Sequence, residues 1–120
     1  MENKNVLIDT NIIIDFFRKR NKKNTILRSI LIDHNIYLSV VSIFEFECGV
    51  TNKVRKDEFQ TLIEPFRILN FDLDCSLISA KVYRELKQKN KIIEMRDIFI
   101  GSTAIKNNLR LLTLNKRHFE

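Results

Sequence analysis

At 120 residues the chain is sized for one compact domain, and 44% hydrophobic against 30% charged residues excludes a disordered or low-complexity polypeptide. No apolar run approaches the roughly 20 residues that cross a bilayer, and Asp9 interrupts the first such run, which argues against a secretory leader; residence in the cytoplasm is expected. The net charge of +6, from 21 Lys and Arg against 15 Asp and Glu, favours a polyanionic partner without choosing among RNA, DNA, an acidic protein and a membrane surface.

Val6-Leu7-Ile8 is a short β-type run that stops at Asp9-Thr10-Asn11, a cluster of helix-capping residue types. Ile12, Ile13, Phe16 and Phe17 then share one helical face, so the opening reads as strand, sharp turn, helix. A basic linker runs from Arg18 to Lys23. Ile26, Leu27, Ile30 and Leu31 mark a second helix from Thr25 to about Asp33. Ile36 to Val41 reads as a buried strand, and Ser42 with Glu45 three residues on has the spacing of a capping box. The helix it opens, with an expected break between Gly49 and Asn52, runs toward Glu64 and stops at Pro65. Phe66 to Phe71 is the third expected strand. Cys75, Ile78, Val82 and Leu86 line one face of a long helix ending near Asn90. Asp97 starts a further helix that turns Ile98, Ile105, Gly101 and Ala104 toward the sheet. Leu109 to Thr113 is the last strand in view. Strands alternating with helices imply a parallel sheet covered by helices on both faces, and residues 1–120 are read as a single domain.

Cys48 and Cys75 lack paired Cys-x-x-Cys spacing and a nearby His, which argues against zinc; both are expected reduced and buried. Two glycines cannot build a phosphate-cradling loop, so a P-loop enzyme is excluded. The chemistry rests instead on three acids placed where a strand has ended or a helix begins: Asp9, Glu45 and Asp97. Each alone is also what helix capping would place there. As a set they differ, because an open parallel sheet gathers its ligands beyond the carboxyl ends of its strands. Carboxylates brought together there repel, by about 4 kcal/mol for a pair 4 Å apart at an effective dielectric near 20, and call for a compensating cation or raised pKa values. Oxygen donors select Mg²⁺ or Mn²⁺ over zinc or copper.

Four segments carry a family resemblance. Val6-Leu7-Ile8-Asp9-Thr10-Asn11 resembles the opening motif of PIN domains. Ser42-Ile43-Phe44-Glu45-Phe46-Glu47-Cys48-Gly49 resembles the second motif, and Asp97-Ile98-Phe99-Ile100-Gly101-Ser102-Thr103-Ala104 the third. Leu112-Thr113-Leu114-Asn115-Lys116-Arg117-His118-Phe119 resembles the closing motif of the VapC-type toxins of VapBC toxin–antitoxin pairs. In order and spacing they cover nearly the whole chain. The resemblance implies a three-layer α/β/α domain with a central parallel sheet, PIN-like within the flavodoxin-like architecture. It implies a Mg²⁺- or Mn²⁺-dependent endoribonuclease that leaves 5′-phosphate and 3′-hydroxyl ends. Asp9 and Asp97 would hold the ion, with Glu45 in the same catalytic cluster and Thr10, Asn11 and Thr113 supporting it. It further implies a homodimer, and a small VapB-like antitoxin that covers the active site.

Two departures from the family stand out. Many PIN domains carry a fourth acid where this chain has Asn115, which can orient a water but adds no charge. Relatives usually continue into a final edge strand beyond the position of Glu120. Glu94 is read as an exposed turn residue, Glu47 as a solvent or partner contact, and His118 as local packing. Among several basic clusters, Arg18-Lys19-Arg20 and Lys116-Arg117 are the preferred RNA phosphate contacts, because they follow the first and last motifs. Two other readings use the same residues. One is a catalytically silent PIN-like nucleic-acid-binding protein, with Asn115 as its sign. The other is a receiver-like Mg²⁺-binding regulatory module, with Asp72 or Asp74 as phosphoacceptor and Lys116 as its lysine.

Overall fold

Strand β1 (Asn5–Ile8) sends Val6 and Ile8 into one hydrophobic cluster and Leu7 into another, the period-2 alternation of a sheet buried on both faces. The computed structural model describes residues 4–114. Within them the order is β1, α1 (Thr10–Arg18), α2 (Ile26–Ile30), β2 (Asn35–Ser39), α3 (Val40–Cys48), α4 (Lys53–Ile63), β3 (Arg67–Leu69), α5 (Leu73–Gln88), α6 (Met95–Lys106) and β4 (Arg110–Leu112). The four described strands form one sheet in the order β3-β2-β1-β4, parallel at every pairing.

The layers follow from the side chains. Ile12 and Ile13 of α1, Leu27 of α2 and Phe59 of α4 pack with Val6, Ile8, Ile36 and Leu38 on one face. Ile100 and Ala104 of α6 meet Leu7 on the other, and α5 packs along α6. This is the three-layer α/β/α arrangement the alternation predicts. A ladder of rings, Phe17 to Phe46 at 5.3 Å and Phe46 to Phe59 at 4.1 Å, ties α1, α3 and α4 together.

Successive strands are added outward from β1 to β2 to β3, and then the chain crosses to the other side of β1 for β4. The direction of winding therefore reverses between β1 and β4. In an open parallel sheet that reversal leaves a crevice beyond the strand ends, and Asp9 and Thr113 lie immediately past β1 and β4 at that point.

Several boundaries differ from the sequence reading. Helix α3 opens one turn early: Ser39, not Ser42, is its N-cap and accepts the Val41 N–H at 3.0 Å. Ser42 is buried inside the helix, and no capping box involves Glu45. The β-branched Val40 and Val41 look like more strand but form the first helical turn, because the Ser39 cap takes up the free N–H there. Helix α6 opens after Glu94, whose side chain makes no capping hydrogen bond, and Asp97 is its third residue rather than its start. Ile105 points outward, 61% exposed, while Ile98, Ile100, Ser102, Thr103 and Ala104 take the inner face. The helix from Thr25 ends at Ile30, the strand after Pro65 is confined to Arg67–Leu69, and the linker after Arg18 holds a 3₁₀ turn at Lys22–Asn24. Cys75 is buried as expected, but Cys48 is exposed. Asn90 and Asn108 end α5 and α6 with φ of 56° and 54°, the left-handed turn that Asn tolerates best after Gly.

Candidate active site

The crevice is built around Asp9, the residue that stops β1 and caps α1. Its backbone N–H bonds Leu112 O at 2.9 Å, extending the β1–β4 register by one residue and fixing the carboxylate over the strand ends. The side chain is 3% exposed, and both oxygens have donors. Oδ1 accepts the Thr10 N–H at 2.7 Å, and Oδ2 accepts the Thr113 hydroxyl at 2.7 Å. Two such short bonds fix the orientation of the carboxylate.

Hydrogen bonds run outward from Asp9 in both directions. Toward β4, Asn11 Nδ2 donates to Thr113 Oγ1 at 3.2 Å, and Asn11 Oδ1 accepts the Leu114 N–H at 3.2 Å. Toward α3, the Thr10 hydroxyl donates to Glu45 Oε1 at 2.9 Å. Glu45 Oε2 lies 3.3 Å from Nη1 of Arg96, whose Nη2 bonds Glu94. One continuous chain of contacts thus joins the ends of β1 and β4 to α3 and the first turn of α6. Thr10 and Thr113 are buried within it, so its geometry is set by the core.

The electrostatics follow from the burial. The Glu45 carboxyl is held above its ordinary range, first by burial and then by the negative charges of Asp9 and Asp97; its bond from Thr10 and the Arg96 guanidinium pull the other way. Asp97 therefore shares a field with Glu45 and Asp9, although it comes from the far end of the chain. Among the described residues no three His, Cys, Asp or Glu side chains form a ready-made metal cage. The donor set instead suits an ion that takes one or two carboxylates and keeps most of its water, as Mg²⁺ does.

Arg18 shares with Glu45 the lining of a groove of about 290 Å³, together with Phe17, Phe46 and Arg55, whose guanidinium sits 4.6 Å from the Phe17 ring centre. Lys19 is paired with Asp15 at 3.3 Å, and Arg20 is exposed. Asn115, Lys116, Arg117 and His118 lie outside the described residues. Arg96 escaped the sequence reading. The available signal was its position: a cation in the first turn of a helix opposes the helix dipole and needs acids to hold it there. Asp72, considered above as a phosphoacceptor, caps α5 and pairs with Lys106; those two contacts hold its carboxyl down at about 2. It follows the edge strand β3, away from the crevice beside β1.

Fold and site together define an α/β domain with carboxylates gathered at the reversal point of a parallel sheet. The PIN domain family matches residues 6–120, and the chain belongs to that family. Ribonuclease VapC1 of Methanocaldococcus jannaschii is 31% identical over 119 residues, covering 99% of this chain and 82% of its own length. The structure of FitAcB from Neisseria gonorrhoeae superposes with a TM-score of 0.79 at 28% identity, over 95% of this chain and 90% of that one. VapBC2 from Rickettsia felis, solved bound to a DNA fragment from its promoter, gives 0.81 at 24% identity over 96% of this chain and 90% of that one, a likeness of fold. Family membership displaces the receiver-like reading.

Proposed function

We propose that this chain is a divalent-metal-dependent endoribonuclease and the toxin of a type II toxin–antitoxin pair. The observation that carries the catalytic reading is the contact chain from Thr113 through Asp9 and Thr10 to Glu45, with the charge of Asp97 acting on the same carboxyl. Relatives named as VapC ribonucleases, and a fold shared with VapBC complexes, support the RNA substrate and a small antitoxin partner.

Asp9 and Asp97 would hold Mg²⁺ or Mn²⁺, with Glu45 beside them. Such an ion supplies charge neutralisation on the scissile phosphate and acidifies a water. The residues do the rest. Thr113 and the Thr10 N–H fix both oxygens of Asp9, so the ligand is oriented before any ion arrives. Thr10 holds Glu45 by Oε1, and the raised proton affinity of that carboxyl suits it to accept a proton from the attacking water. Asn11 ties the β4 end to α1 and so stops the crevice from opening. Arg18, which lines the groove with Glu45, would meet an RNA phosphate next to the cleaved one, and Lys19, Arg20, Lys116 and Arg117 are the further candidate phosphate contacts. The domain comprises residues 1–120, works as a homodimer and acts in the cytoplasm. Its antitoxin covers the crevice.

The test is cleavage of a structured RNA by the purified chain with Mg²⁺, with Mn²⁺ and with chelator, beside Asp9→Asn. Cleavage that needs the ion and is lost in the variant is expected. RNA binding without cleavage in every lane would instead mark a silent nucleic-acid-binding protein.

A further inference from the structure

We propose that Arg96 is a built-in counter-ion of the acidic crevice, which an incoming divalent cation displaces from Glu45. This rests on the reading of the crevice as a metal site. Among the described residues, Arg96 is the basic side chain paired with Glu45, at 3.3 Å, and its guanidinium also responds to the charge of Asp97, the residue after it. It reaches Glu45 from the first turn of α6, a place where the helix dipole disfavours a cation. Its remaining anchor is Glu94, which bonds Nη2 and lies outside the Asp9–Thr10–Glu45 chain.

The asymmetry of burial gives the arrangement a direction. The Glu45 side chain is 15% exposed and held by Thr10, so it stays in place. The Arg96 side chain is 54% exposed, so its pairing is screened and weak and it can swing toward solvent with little loss. When the ion takes over the negative charge, Arg96 gives up Glu45 and keeps Glu94. The arginine thus neutralises the crevice in the metal-free protein and raises the ion concentration needed to fill it.

The experiment is calorimetric titration of the full chain with Mn²⁺ at pH 8, without RNA, for the natural protein, Arg96→Ala, Arg96→Gln, Arg96→Lys and Asp9→Asn. Both neutral variants should bind Mn²⁺ about three- to ten-fold more tightly, the effect of removing one competing partial ion pair and one like charge. Arg96→Lys should stay near the natural value. Circular dichroism checks that each variant folds, which the exposure of Arg96 favours. If the natural protein binds Mn²⁺ and Asp9→Asn does not, while the neutral variants bind no more tightly, the counter-ion role is overturned and the metal site stands. If the natural protein takes up no Mn²⁺, the metal reading fails and this proposal with it.

Discussion

Replacing Thr113 by Val would remove one hydroxyl and keep the shape of the side chain. That hydroxyl donates to Asp9 Oδ2 at 2.7 Å in a buried setting and accepts from Asn11 Nδ2 at 3.2 Å. A bond to an ionised group contributes about 1.5–3 kcal/mol, and losing it leaves a buried carboxylate oxygen short of its donor. The half-buried Asn11 amide regains water, so its loss adds about 0.5 kcal/mol. The sum, about 2–3.5 kcal/mol, corresponds to a fall in Tm of about 10 °C for a chain of this size. RNA cleavage should drop about 10- to 100-fold, the usual effect of removing a group that orients a metal ligand. Thr113→Ser keeps the hydroxyl and should lose much less on both counts. Differential scanning calorimetry and the cleavage assay read the two effects. A Thr113→Val protein as stable and active as the natural one, or a Ser variant as impaired as the Val variant, would refute the claim that this hydroxyl orders the site.

Asp97→Asn should fold with stability within about 1 kcal/mol of the natural protein, the value of a first-turn charge against the helix dipole, yet lose cleavage more than 100-fold; strong residual activity at millimolar Mg²⁺ would count against Asp97 as a ligand. Glu45→Gln should be inactive and, relative to the natural protein, more stable at pH 8 than at pH 4 in denaturant unfolding. The sign follows from the raised folded pKa of Glu45: its contribution is fully present below the unfolded value, near 4.5, and is lost as pH rises through the folded one, where Asp9 and Asp97 oppose its ionisation. A thiol reagent should modify one cysteine of the native protein, Cys48, and a second, Cys75, only after unfolding.

The middle of the sheet was legible because β1 and β2 are largely buried: Val6-Leu7-Ile8 and Ile36 to Leu38 admit no charged interruption, and Asp9 ends the first run where the backbone leaves the sheet. Asp9 and Asp97 were legible as positions, at a strand end and in a first helical turn, whereas Glu45 sits one turn deeper in α3 than its spacing suggested. Their partners were not. Asp9 and Thr113 stand far apart in the sequence, and only the switch from β3 to β4 across β1 makes them neighbours. Arg96 reads as one more base in a basic chain until α6 is laid beside α3. The starts of α3 and α6 were both misplaced. Val40-Val41 carries strand propensity, and the Ser39 cap outweighs it. Glu94 and Asp97 are both acids suited to a helix start, and composition could not rank them. Cys48 was misjudged because free cysteine is usually buried, whereas here it falls at the open end of α3 next to Gly49.

Substoichiometric Mn²⁺ added to isotope-labelled protein tests the convergence of the acids most directly, since paramagnetic broadening of NMR signals falls off steeply with distance from the ion. Broadening should appear first at Asp9, Thr10, Glu45 and Asp97 and leave Asp57 and Glu58 on α4 sharp. Loss of signal centred on α4, or spread evenly over the surface acids, would contradict a shared metal site at the ends of β1 and β4.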